Sequence, residues 1–172
     1  MSDNQTAQKI FEEGMAEFVN HNYGQSIEHL SRAIELDPEF SLAIKCRGAA
    51  YLRLAKAREA IADFNTVVKL NPVSARAHHL RGLAYEKSGD NDKALNDFNR
   101  ALELDSNYGA AYFSRANLYS KLGQADQATE DIRMTTYLTE VNIETFANDN
   151  NVWRSQQLRL ESLYNGDLAM ER

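Results

Sequence analysis

A period of 34 residues constrains the fold of this chain more than any other feature of its sequence. Gly14, Gly48 and Gly82 follow one another at this spacing, and Pro38 and Pro72 are separated by the same interval. Other residues repeat with them: Tyr51, Tyr85 and Tyr119; Ala60, Ala94 and Ala128; Phe64 and Phe98. Self-similarity of this kind is the signature of a repeat protein. The register predicts four units, at residues 7–40, 41–74, 75–108 and 109–142.

Each unit predicts two amphipathic helices. In the second unit, apolar residues recur at helical spacing over 44–54 and again over 60–70. Pro72 ends the unit, because proline disfavours helix in the residue before it. Gly89 and Gly123 mark the turn between the two helices of the third and fourth units.

Small residues predict where the two helices of a unit approach each other. Gly48 on the first helix and Ala60 on the second would let the two backbones come close. A large side chain at Gly48 or Gly82 would overpack the crossing, at a cost of about 1–3 kcal/mol. A single helix pair leaves its apolar outer faces exposed, so several stacked units are needed for stability.

The pattern resembles the tetratricopeptide repeat (TPR) family. The matching residues are Ile44, Gly48, Tyr51, Ala60, Phe64 and Pro72 in the second unit, and Gly82, Tyr85, Ala94, Phe98 and Ala101 in the third. The resemblance covers residues 7–142 and implies an all-α fold, a right-handed α-solenoid of four helix-turn-helix units. The terminal units depart from the pattern. Glu140 stands where the closing proline belongs, so the last helix is expected to run on or to end differently.

The period is lost after residue 142, and residues 1–6 form a short polar tail. Residues 148–151 predict a turn and a helix N-cap. The apolar residues of the following segment predict a capping helix over 143–172: Val152, Trp153, Leu160, Leu163 and Tyr164. We expect this helix to cover the fourth unit. A detachable helix that occupies the groove or binds a partner, and a disordered segment, are the alternatives.

Composition and charge argue against several function classes. The net charge is −6, whereas proteins that bind nucleic-acid phosphates usually carry a basic surplus. The chain shows no signal peptide and no apolar segment of about 20 residues that could span a bilayer. Cys46 is the only cysteine and cannot form an intramolecular disulfide, which fits a reducing compartment. We therefore expect a cytoplasmic protein without membrane insertion that does not bind nucleic acid.

Catalytic and metal-binding patterns are missing from the sequence. His21, His29, His78 and His79 lack the spacing of three or four residues that places two ligands on one helix face. No glycine-rich phosphate loop and no arrangement of a nucleophile beside a base occurs. We expect no cofactor, no metal and no enzymatic activity.

Two rows of charge repeat with the period. Arg47, Arg81 and Arg115 on the first helices recur opposite Asp63, Asp97 and Asp131 on the second helices. In the first unit the signs exchange, with Glu13 for the arginine and His29 for the aspartate. We interpret this row as ion pairs within units, or alternatively between neighbouring units. Arg53, Lys87 and Lys121 form the second row, either as helix C-terminal cations or as a basic strip along the groove.

The family resemblance implies that the first helices line a concave face along which ligands lie. Its variable positions carry onto this chain as partner-binding candidates: Phe11, Met15, Phe18 and Val19; Lys45, Ala49, Leu52 and Arg53; Arg76, His79, Leu83 and Lys87; Phe113, Asn117 and Lys121. An exposed apolar patch in the first unit would mark an interaction site. The alternative for Phe11 and Phe18 is packing against the next unit.

One binding mode of the family is disfavoured. TPR domains that dock chaperone tails use a carboxylate clamp of Lys, Asn, Asn, Lys and Arg. This chain has Phe11, Met15, Cys46, Arg76 and Leu80 there, and only Arg76 fits.

We predict an interaction scaffold that binds a helical or extended acidic peptide segment of a protein partner in its groove. A self-assembling structural subunit, a homo-oligomer, is the alternative, which a solution size measurement distinguishes. RNA binding, the third class, predicts steep salt dependence.

Overall fold

A computed structural model describes residues 3–149, apart from the side chains of 144 and 146–149. This part of the chain forms eight α-helices and contains no strand. The helices are α1 (Asp3–Val19), α2 (Tyr23–Leu36), α3 (Ser41–Arg53), α4 (Ala57–Leu70), α5 (Ala75–Ser88), α6 (Asn91–Leu104), α7 (Gly109–Lys121) and α8 (Ala125–Asp149). The predicted all-α fold of helix pairs is confirmed.

The helices stack as a solenoid of two layers. Each odd-numbered helix packs most extensively on the even-numbered helix that follows it, and successive pairs contact each other through α2–α3, α4–α5 and α6–α7. The helices α1, α3, α5 and α7 also contact one another in sequence, whereas no such contact joins the even-numbered helices of residues 3–149. The layer whose helices lie closer together is the inner layer of a curved stack. The first helices of the units therefore line the concave face.

The glycines of the first helices lie against aromatic rings of the second helices. A Cβ atom on Gly48 would lie 2.8 Å from the ring of Phe64, and one on Gly82 would lie 2.6 Å from the ring of Phe98. Both rings are completely buried. The close approach is as predicted, but the neighbour of Gly48 is Phe64 and not Ala60, because the ring extends back across the helix crossing.

Substituting alanine for Gly82 should destabilise the protein by about 1–3 kcal/mol. The new methyl group would overlap the Phe98 ring and lie 3.3 Å from the backbone oxygen of Ala94, so neither neighbour can give way easily. Gly24 in α2 is the matched control, because a Cβ there meets nothing within 4 Å. Gly24→Ala should stabilise by up to about 1 kcal/mol. Chemical denaturation measures both, and two substitutions of equal effect would contradict the packing described here.

The turn inside each unit uses a left-handed residue at the same repeat position. His21, Ala55, Gly89 and Gly123 have φ angles of 64°, 56°, 86° and 75°. Glycine adopts this conformation without a steric penalty, whereas other residues lose about 1–2 kcal/mol. Glycine is therefore the favoured residue at this turn, as in the third and fourth units, and the first two units tolerate the strain.

Ala55→Gly should raise the free energy of unfolding by about 0.5–1 kcal/mol, because glycine removes the left-handed strain while adding some freedom to the unfolded chain. The reciprocal change Gly89→Ala should lower it by about 1 kcal/mol. Thermal or chemical denaturation tests both. If Ala55→Gly destabilises, the left-handed turn of the second unit is absent in solution.

Both ends of the array differ from expectation. Asp3 to Thr6 belong to α1, so the polar tail predicted over residues 1–6 is largely helical. At the other end α8 continues through Asp149 and crosses the predicted boundary between residues 142 and 143. The expectation that the last helix runs on is confirmed. Asn148 and Asp149, the first two residues of the turn and N-cap predicted over 148–151, are helical, and residues 150 and 151 lie outside the described residues. Trp153 and the rest of the predicted capping helix lie outside the described residues.

Candidate binding groove

A ladder of ion pairs runs through the array and fixes the first helices that form the groove. Arg81 donates from Nε and Nη2 to both carboxylate oxygens of Asp97, at 2.8 and 2.7 Å. Its Nη1 donates to Asn65 of the preceding unit at 3.0 Å. The other arginines repeat this arrangement: Arg47 with Asp63 and Ser31, and Arg115 with Asp131 and Asn99. The predicted pairs within units are confirmed, and the same arginines also bridge neighbouring units.

The first unit carries the same pair with the signs exchanged. His29 Nδ1 lies 3.5 Å from Glu13 Oε2. The two side chains face each other as predicted, but this nitrogen is buried and makes no hydrogen bond. The pair is therefore looser than the bidentate pairs of the other units.

An apolar pocket opens on the concave face where α1, α3 and α5 meet. It has a volume of about 240 Å³. Its lining consists of Met15, Phe18, Lys45, Cys46, Ala49, Arg76 and Leu80. Five of these were candidates from the sequence. Cys46 and Leu80 were considered only as clamp positions, although each lies on the same helix face as a predicted neighbour, three or four residues away.

Two cations border this pocket, and no acidic residue lines it. Lys45 is half-buried and Arg76 is exposed. Burial raises the pKa of the Cys46 thiol, while the nearby charges of Lys45 and Arg76 oppose that rise. An apolar cavity with positive charge at its edge favours a ligand that places an apolar side chain beside a carboxylate.

A second, wider pocket lies further along the face, between α5 and α7. It has a volume of about 520 Å³. The sequence predicted five of its residues as groove candidates, namely Leu83, Lys87, Phe113, Asn117 and Lys121. The others are Glu86, Ser114 and Ser120. Lys121 pairs with Glu86 across the two helices, so this pocket carries a mixed charge.

Two predicted groove residues are buried and present little surface to a ligand. Phe11 is 8% exposed, and its ring packs 5.0 Å from that of Phe40, which precedes α3. His79 is 7% exposed. The expectation that these two line the groove is wrong. Packing against the next unit, the stated alternative, describes Phe11. Phe18 in contrast lines the first pocket and makes an edge-to-face contact with Tyr23 at 5.3 Å.

The remaining candidates lie away from both pockets. Leu52 is half-buried and packs on the cluster formed by Ala60, Phe64 and Ala84. Arg53 is exposed in the last turn of α3, where a cation suits the helix C-terminus.

Comparison with known proteins is consistent with this architecture. Two family models described as tetratricopeptide repeat match the chain, at residues 75–108 and 98–130. Residues 75–130 therefore carry tetratricopeptide repeats. No curated protein matches its sequence at a significant level.

Solved structures share the TPR fold. MamA from Desulfovibrio magneticus RS-1, residues 41 to the end, superimposes with a TM-score of 0.74 at 21% identity, over 78% of this chain and 76% of that chain. The first TPR of Spaghetti (RPAP3), bound to the HSP90 peptide SRMEEVD, gives 0.66 at 28% identity over 70% of this chain and 95% of that one. The Arabidopsis OM64 TPR domain gives 0.66 at 22% identity, over 69% and 98%.

The described part of the TPR array offers neither a membrane span nor a cluster of metal ligands. Across residues 3–149, no helix is both long and apolar enough to cross a bilayer. In that part of the chain, no group of three or more His, Cys, Asp and Glu side chains is placed to hold a metal ion.

His79 joins the third and fourth TPR units instead of facing the groove. Its Nδ1 lies 3.1 Å from the Tyr108 hydroxyl, and its Nε2 lies 2.9 Å from Ser114 Oγ. The Tyr108 ring also packs edge-on against the imidazole at 5.1 Å. Burial, together with the charge of Arg76, lowers the pKa of His79 to about 4. The imidazole is therefore neutral at physiological pH.

Acidification should weaken the TPR array through His79. In the unfolded chain His79 takes up a proton below about pH 6.5, whereas in the folded protein it does so only below about pH 4. The stability contributed by neutral His79 is therefore fully present above pH 6.5, and it falls by up to about 3 kcal/mol between pH 6.5 and pH 4. We expect His79→Asn to remove this part of the pH dependence, and His21→Asn, at an exposed turn, to retain it. Denaturation at several pH values measures the difference, and equal profiles for both variants would contradict this role.

Proposed function

We propose that this TPR array is an interaction scaffold without enzymatic activity, and that its concave groove binds an extended or helical segment of another protein. An apolar side chain of that segment enters the pocket lined by Met15, Phe18 and Ala49. An acidic residue next to it pairs with Lys45 and Arg76. The observation that carries this proposal is the cavity of about 240 Å³ with apolar walls and cations alone at its border.

A protein of the same fold supports peptide binding, but the residues of this chain favour a different kind of peptide. The TPR of RPAP3 holds the peptide SRMEEVD. At the clamp positions of the family this chain has Met15, Cys46 and Leu80, which cannot donate strong hydrogen bonds to a carboxylate. Recognition here therefore depends on an apolar side chain within the segment, with charge setting its orientation and association rate.

Selection from a random peptide library on the immobilised full chain tests this proposal. The enriched sequences should place a large apolar residue directly beside aspartate or glutamate. Their affinity should fall moderately with added salt, because exposed charges are screened. The peptide SRMEEVD should bind much more weakly than the selected sequences. Enrichment of basic sequences, or of no sequence above background, would contradict the proposed groove ligand.

A further inference from the structure

The described array exposes, at its two ends, helix faces that are buried at every junction between consecutive units. At each junction an odd-numbered helix packs on the even-numbered helix of the unit before it. Ala84 of α5 packs on the ring of Phe64, and Leu118 of α7 packs on the ring of Phe98. All four side chains are buried completely or almost so. The two positions that they occupy therefore define the apolar part of a junction.

The same two positions are exposed at the ends of the array. Ile132 of α8 lies at the repeat position of Phe98, and it is 54% exposed. Ala16 of α1 lies at the repeat position of Leu118, and it is exposed as well. Corresponding residues of a repeat array have corresponding neighbours. If α1 of a second copy continued the array beyond α8, Ala16 would therefore pack on Ile132.

A second pair of positions carries complementary charge. At each internal junction the ladder arginine donates from Nη1 to a neutral side chain of the preceding unit, as Arg81 does to Asn65 at 3.0 Å. Glu13 of α1 lies at the repeat position of Arg81, and Arg133 of α8 lies at that of Asn65. A second copy stacked in the same register would set the carboxylate of Glu13 beside the guanidinium of Arg133. The exchange of charge at one end of the array is thus matched at the other.

Both charged groups are accessible in a single copy. The Glu13 side chain is 48% exposed and lies 3.5 Å from Nδ1 of His29, which makes no hydrogen bond. The Arg133 side chain is 74% exposed and pairs with Glu130 of its own helix at 3.3 Å. Exposed pairs of this kind contribute little to stability, so Arg133 can take a partner from a second copy. Glu12, exposed next to Glu13, adds a second carboxylate to the same face of α1.

The polar residues nearer the start of α1 are compatible with this register. Lys9 is exposed and lies at the repeat position of Ala77, which packs on Val67. Thr135 of α8 lies at the position of Val67. The Thr135 hydroxyl already donates to the backbone of α8 at 2.8 Å and needs no further partner. A lysine side chain is long enough to pack its methylene groups there while its ammonium group stays in solvent.

We propose that this chain associates with further copies of itself head to tail, with α1 of one copy packed on α8 of the next. The contact repeats the geometry of the internal junctions, with Ala16 on Ile132 and an ion pair between Glu13 and Arg133. The two faces differ, so each added copy leaves one face of each kind free, and the association forms an open series instead of a closed dimer. The concave face takes no part in this contact. The proposal is therefore independent of the ligand proposed for the groove.

Sedimentation velocity of the full chain over a wide range of protein concentrations tests the association. Because the net charge of −6 opposes the approach of two copies, the measurement is made at physiological ionic strength. The average mass should rise continuously with concentration and pass that of a dimer. Ala16→Glu, at a position exposed in the single copy, should prevent this rise. Arg100→Glu is the control on the outer helix α6, and it should leave the association unchanged.

Charge exchange tests the register. Glu13→Arg and Arg133→Glu each place like charges at the contact, so each alone should raise the dissociation constant at least about tenfold. An equimolar mixture of these two variants should associate as the unmodified chain does, because each then offers the charge that the other lacks. Circular dichroism verifies that every variant retains its helices.

Three results would overturn the proposal. The first is a monomeric mass at all concentrations, as expected if another segment or a different protein covers the α8 face. The second is a dimer that does not grow further. The third is an association that is unaffected by Glu13→Arg, Arg133→Glu and Ala16→Glu, or a mixture of the two charge variants that stays dissociated.

Discussion

Replacing Asp97 by alanine should lower the free energy of unfolding by about 3 kcal/mol, because it leaves the largely buried guanidinium of Arg81 without its carboxylate partner. The Asp97 side chain is 7% exposed and accepts both hydrogen bonds of Arg81, at 2.8 and 2.7 Å. His78 Nδ1 lies 3.2 Å from the same carboxylate. The substitution therefore disconnects α5 from α6 at two points and also frees the arginine that holds Asn65 of the unit before.

Urea denaturation of the full chain measures this loss, with Glu103→Ala as the matched control. Glu103 lies on the same helix and pairs with Arg100 at 2.8 Å, but its side chain is 64% exposed. Exposed pairs contribute about 0–1 kcal/mol, so the control should remain close to the unmodified protein. If Asp97→Ala and Glu103→Ala differ by less than about 1 kcal/mol, the ladder does not stabilise the array as described.

Introducing glutamate at Ala49 should weaken the binding of a library-selected peptide at least about thirtyfold, or about 2 kcal/mol. Ala49 is half-buried in the wall of the first pocket. A glutamate there would fill the cavity and place a negative charge beside Lys45 and Arg76, in competition with the acidic residue of the ligand. Alanine and glutamate are both good helix formers, so α3 itself should remain intact.

The matched control for this change is Ala62→Glu. Ala62 is exposed on α4, the outer helix of the same unit, and lines neither groove pocket. It should bind the selected peptide as the unmodified chain does. Calorimetric titration gives both dissociation constants, and circular dichroism verifies equal helicity. An Ala49→Glu protein that binds as tightly as Ala62→Glu would move the site away from the first pocket.

Periodicity made the repeat architecture and the ion-pair ladder predictable from the sequence. Arg81 and Asp97 recur in step with the glycine and phenylalanine that fix the helix crossing, so their relative position follows once the period is known. The exchange of charge signs at Glu13 and His29 in the first unit likewise indicated that these two positions face each other. Residues that repeat can be placed by register alone, because each unit supplies the geometry of the next.

Burial within the groove was less predictable, because it depends on residues that do not follow the repeat pattern. Phe11 is covered by Phe40, and His79 is covered by Tyr108; both covering residues precede a first helix. The spacing of the TPR pattern specifies which residues lie on each helix, but not which side chains of the preceding turn cover them.

The reactivity of Cys46 tests the proposed groove most directly, because the only cysteine of the chain lies in the wall of the first pocket. Alkylation of this thiol is followed in the free protein and in the presence of a saturating selected peptide. A ligand that fills the pocket should slow alkylation at least about tenfold, since it excludes the reagent and keeps the thiol protonated. Saturating peptide that leaves the alkylation rate of Cys46 unchanged would show that the ligand binds elsewhere on the array.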